Sequence, residues 1–158
     1  MEEPDRKIVD ALLRHKTLSH GDFRQVDKLE DVGFDYIKAI LHEKPSNQQK
    51  INGLKCLIRS GSRLNERRNE TRLPEVFDLA AALVLDADPS VRAVAIRTVV
   101  GILGLLKALG KATDVVGGTG RVRDLLHRAL KANPREADRK LVENEVLRLD
   151  DMGADGSR

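Results

Sequence analysis

The chain has no tryptophan, one tyrosine, three phenylalanines and one cysteine in 158 residues. A lone cysteine, Cys56, closes no internal disulfide and builds no multi-cysteine metal site, which agrees with a reducing compartment. Cys56 is expected as a small apolar helix residue. So few aromatics argue against a strand-built protein, because sheets draw on aromatic and β-branched side chains. They also leave no stacking platform for single-stranded bases. No long clean apolar run occurs: the most apolar window, residues 93–109, is broken by Arg97 and Lys107 and falls short of the roughly 20 residues a membrane span needs. The opening "MEEPDRKIVD" lacks the basic-then-apolar order of a secretory signal. A cytoplasmic protein is expected.

What is present favours helices. Hydrophobic residues make up 41% and charged residues 34% of the chain, with Leu, Ala, Arg, Lys and Glu, all good helix formers, in plenty. At this length one domain is expected over residues 1–150, burying roughly two thirds of the surface of the unfolded chain, followed by a polar, glycine-containing tail over 151–158. The net charge of +3 is unevenly spread. From Lys44 to Arg72 there are eight basic residues (Lys44, Lys50, Lys55, Arg59, Arg63, Arg67, Arg68, Arg72) against Glu66 and Glu70, so this stretch is +6 while the remainder is −3.

Proline suits the first turn of a helix, where its missing N–H would have no partner. Pro4, Pro45, Pro89 and Pro134 recur at spacings of 41, 44 and 45, and each is followed by apolar residues three and four apart: Ile8 and Leu12; Ile51, Leu54 and Ile58; Val91, Ala95, Val99 and Leu103; Val142, Val146 and Leu149. Asp88 and Asn133 stand where they can cap the helices after them, Thr119 can cap another, and Gly61 and Gly110 mark two helix ends. Three of the prolines follow further helical patterns, "DYIKAILHEK", "PEVFDLAAALVLDAD" and "RVRDLLHRALKAN". The connections are so short that each pair must fold into a helical hairpin. Phe23, Val26 and Leu29 suggest a short helix before the first of these, with a break at Gly33.

The period, the two helices per unit and the phrase "DADPSVRAVA" resemble a HEAT repeat of the armadillo-like α-solenoid group. In that pattern an aspartate in the turn precedes a valine and a basic residue, here Asp86, Val91 and Arg92. The other units carry Gln48 and Ala137 at the place of the basic residue and match by spacing. The resemblance implies an all-α, right-handed superhelix of about three to four hairpins. It also implies that the turn aspartate and the following arginine hydrogen-bond along the stack, which gives Asp86, Asp88, Pro89 and Arg92 structural roles.

Candidate chemistry is sparse. His15, His20, His42 and His127 have neither HExxH nor two-His-plus-carboxylate spacing. "VVGGTGRVRD" places glycines before a helix start that could hold a phosphate, but no strand precedes it and no GKS or GKT ends it, so an inter-helix connection is expected. No G-x-S-x-G elbow occurs. The expectation is therefore a non-catalytic monomer without metal or cofactor, which binds an acidic protein surface along an extended face. Lys50, Lys55, Arg59 and Arg97 would lie on that face, with Arg63, Arg67, Arg68 and Arg72 in the connecting segment. The alternative is sequence-nonspecific nucleic-acid binding by the same 44–72 patch.

Overall fold

The computed structural model describes residues 1–63 and 71–156. It is all-α: 79% helix, with seven helices and no strand among the described residues. The helices are α1 (Glu3–Leu12), α2 (His20–His42), α3 (Asn47–Gly61), α4 (Leu73–Leu83), α5 (Pro89–Ala108), α6 (Gly118–Ala132) and α7 (Glu136–Gly156), with a 3-10 turn at Thr113–Val116. No helix among the described residues is long and apolar enough to cross a membrane. The chain divides into two compact units, Met1–Arg72 and Leu73–Arg158.

In the first unit α2 and α3 form a hairpin and α1 packs on α2. Val9, Leu12, Leu13, Val26, Phe34, Ile37, Leu54, Cys56 and Leu57 make its core. Ser19 starts α2 with a capping box: its hydroxyl accepts the Asp22 N–H at 3.1 Å, and the Asp22 carboxylate accepts the Ser19 N–H at 2.9 Å. That backbone donor, helped by His15 Nδ1 at 3.1 Å, holds the Asp22 carboxyl below its ordinary 3.8. The break expected at Gly33 falls at Glu30 instead, whose φ of 50° and ψ of −135° interrupt α2. Gly33 lies in the resumed helix, where a Cβ would come within 2.6 Å of the Leu29 Cβ.

Helix α3 begins at Asn47, two residues after Pro45. Ser46 and Gln49 cap each other's backbone N–H, and this reciprocal box sets the start more firmly than proline's fixed φ. Inside α3, the buried Asn52 donates from Nδ2 to the carbonyls of Leu12, Leu13 and His15 at 3.3, 3.0 and 2.8 Å. One amide thus draws together three carbonyls at and just beyond the end of α1 and fastens that helix to α3.

Burial raises the Cys56 thiol to about 12, so at pH 8 almost no thiolate forms in the folded protein. Labelling by a disulfide reagent at that pH is expected to wait for opening of the first unit, and prompt stoichiometric labelling of the native protein would contradict the buried placement.

In the second unit α5 is the central helix, packed against α4, α6, α7 and the 3-10 turn. Its composition explains this: Val91, Ala95, Ile96, Val99, Val100, Ile102, Leu103 and Leu106 are buried round most of its circumference. Each large side chain among them contributes about 2 kcal/mol. Asp88 caps α5 as the sequence suggests, accepting from the N–H groups of Ser90 and Val91 at 2.9 and 3.0 Å, with Pro89 in the first turn. Gly110, at φ 68°, ends α5 in the left-handed conformation. Its N–H reaches the Lys107 carbonyl and the Lys111 N–H reaches the Leu106 carbonyl, the 5→2 and 6→1 bonds of a Schellman close.

Gly117, at φ 88°, caps α6 without a side-chain bond, and Thr119 lies inside the first turn. The "VVGGTG" stretch is thus a reversal between the 3-10 turn and α6. Asn133 closes α6 at its C-terminal end, leaving the α7 start to Arg135, whose carbonyl accepts the Arg139 N–H. Helix α7 continues to Gly156, past residue 151 where the sequence suggests a tail.

Candidate binding surface

Asp27, Asp31 and Asp35 recur at intervals of four on α2; the Glu30 break separates the first from the other two, which share a face of the resumed helix. Lys55, Arg59 and Arg63 recur at the same interval on and just beyond α3. Antiparallel packing of the two helices brings the rows together. The Asp27 carboxylate accepts from Arg59 and from Arg63, each at 3.1 Å. Past the 64–70 segment, the Gly61 carbonyl accepts both the Thr71 hydroxyl and the Arg72 N–H. That anchor carries the Arg72 guanidinium to Asp35 at 2.6 Å and Asp31 at 3.3 Å. Two of the arginines also lie on aromatic rings, Arg59 5.2 Å from the centre of Phe23 and Arg72 3.8 Å from the centre of Phe34. Guanidinium groups held between a carboxylate and a ring lose less conformational freedom when a further acceptor arrives.

Among the described residues, the basic stretch read from sequence is interleaved with carboxylates. Arg59, Arg63 and Arg72 sit in a row of alternating sign, with the Asp31 and Asp35 side chains both 64% exposed. Lys55 is exposed on the same stripe, Lys50 is half-buried, and Arg97 is exposed on α5 in the second unit. Arg67 and Arg68 lie outside the described residues. The acidic half of the row was legible as the i, i+4, i+8 spacing of Asp27, Asp31 and Asp35. What concealed it was distance along the chain, since these acids precede the basic stretch and meet it only when α2 packs on α3.

The Asp86–Arg92 segment is structural, but not as a ladder of turn aspartate and arginine: Asp86 bonds within its own turn, and Arg92 pairs with Asp138 inside α7. Asp86 Oδ1 accepts the Asp88 N–H at 2.9 Å. Arg92, 1% exposed, donates to the carbonyls of Asp86 and Ala87 at 2.9 and 3.1 Å and to both oxygens of Asp138 on α7 at 3.2 Å. Its donors thus tie the α4–α5 turn to the next hairpin. Among the described residues no cluster of three His, Cys, Asp or Glu is placed to hold a metal ion. Comparison with family models, curated proteins and solved structures finds no match to this chain.

Proposed function

We propose that this chain is a non-catalytic protein-binding module, a cytoplasmic monomer built from HEAT-like helical hairpins, and that the Asp–Arg row of α2 and α3 is its docking surface. The hairpin recurrence and the Arg92 bridge from the α4–α5 turn to α7 of the following hairpin support the repeat reading. The observation that carries the binding assignment is the alternation of sign along the row. A phosphate backbone is negative throughout and would be repelled by Asp31 and Asp35. A protein surface can present lysine or arginine to those acids and carboxylates to Arg63 and Lys55, which gives register and specificity. Nucleic-acid binding at this row is accordingly the poorer reading.

Lys55 is the position for a test, because it is exposed and has no ion-pair partner among the described residues. Arg59→Glu would set a second carboxylate against Asp27 and confound binding with folding. With Lys55→Glu as bait in affinity purification from the native source, a polypeptide retained by the wild-type chain is expected to be lost, with the thermal unfolding curve unchanged. Equal retention by both baits would reject this surface.

A further inference from the structure

The second unit holds a positive surface that counting charges along the chain underrates. From His127 to Lys140 the sequence carries Arg128, Lys131, Arg135, Arg139 and Lys140 against Glu136 and Asp138, an unremarkable balance for a charged helical pair. Folding changes it. Asp138 turns inward, 7% exposed, and its charge is taken by the buried Arg92. Glu136 lies 3.6 Å from Arg139. Arg128, Lys131, Arg135 and Lys140 are exposed, and no carboxylate among the described residues lies within ion-pair distance of them. They gather where α6 ends and α7 begins, across a connection of only three residues, with the exposed His127 beside Arg128.

Local helix energetics account for two of the five side chains. Arg128 and Lys131 stand near the C-terminus of α6, where a cation is favoured. Arg135 and Arg139 stand at the first turn of α7, where the helix dipole disfavours positive charge by a few tenths of a kcal/mol each, and Lys140 follows in the next turn. Cations held against that preference, with one acid withdrawn into the core, point to an external anion.

The surroundings indicate which anion. Among the described residues the exposed large hydrophobic side chains are Ile8, Val32, Leu85, Val115 and Leu147, and none lies between residues 127 and 140. No aromatic residue occurs in that stretch either. A protein interface made by cations alone lacks both the apolar centre and the alternating sign that give the α2–α3 row its register, and firm membrane attachment adds an apolar wedge or anchor to the attraction of anionic headgroups. A phosphodiester backbone needs none of these, since release of its counterions drives association with clustered Arg and Lys.

We propose that the α6–α7 turn, through Arg128, Lys131, Arg135, Arg139 and Lys140, is a sequence-nonspecific binding site for the backbone of double-stranded DNA. It is separate from the α2–α3 row and rests on none of the reasoning for it. Fluorescence anisotropy of a short labelled DNA duplex is expected to report binding at low salt that weakens as salt rises, with a log–log slope of about −4.5 for five phosphate contacts. Lys131→Glu with Arg135→Glu is expected to reduce affinity by about a hundredfold at low salt, while Lys16→Glu, at an exposed lysine outside both surfaces, leaves it unchanged. Because these side chains have no partner among the described residues, the circular dichroism melt should not move. If the reversal proves misfolded, Lys131→Gln with Arg135→Gln replaces it, with a loss of about tenfold expected. Absence of duplex binding at low salt overturns the proposal. So does undiminished binding by the folded variants, or tighter binding of poly-glutamate or phosphatidylserine vesicles than of the duplex.

Discussion

Asp138→Ala is expected to destabilise the protein by about 3–5 kcal/mol, because it leaves the Arg92 guanidinium buried without its counter-charge. The geometry sets the size of this effect. Both Asp138 oxygens accept from Arg92 at 3.2 Å, and the arginine is held in place by the carbonyls of Asp86 and Ala87, so it cannot swing out to water without abandoning the α4–α5 turn. A drop in Tm of about 10 °C follows, measurable by far-ultraviolet circular dichroism. Replacing both partners, Arg92→Met with Asp138→Leu, should recover much of the loss, since an apolar pair of similar volume carries no desolvation penalty. A single variant within 1 kcal/mol of wild type would show that the pair does not hold the second unit together.

Phe34→Ala is expected to cost about 4 kcal/mol, from lost burial and from the cavity left in the first unit's core. Phe34 is 1% exposed, and its ring also supports the Arg72 guanidinium at 3.8 Å. Phe34→Leu keeps most of the volume and removes the ring face, so it should cost about 1.5 kcal/mol. Its effect should be less than additive with Arg72→Gln, because both changes break the same contact. Tyr36 is the only tyrosine in a chain without tryptophan, and its hydroxyl donates to Asp10 at 2.7 Å. Urea unfolding followed by its fluorescence therefore reports the first unit. A loss below 1 kcal/mol for Phe34→Ala would contradict the core assigned here.

Much of the fold was legible in the residues. Apolar spacings of three and four located helical segments, Asp88 and Pro89 marked the start of α5, and Gly110 marked its end, because each of these features acts within a turn or two of itself. Pro45 and Pro134 were less informative, since each stands just outside its helix. The capping box of Ser46 and Gln49, and the Arg135 carbonyl, mark those starts instead. The Glu30 break had no sequence mark, and it lies three residues from the glycine that suggested one.

The charge pattern shows the boundary most clearly. Composition and periodicity by themselves determined an all-helical chain of hairpins with a nearly all-round apolar α5, since backbone hydrogen bonding and burial of a helical stripe depend on neighbours in sequence. Which charges remain available was decided only by tertiary structure. Packing α2 against α3 matched Arg59, Arg63 and Arg72 to carboxylates far from them along the chain, and packing α7 against α5 drew Asp138 to Arg92 and left its basic neighbours outside. Electrostatic interaction depends on separation in space, and only the packed helices set those separations.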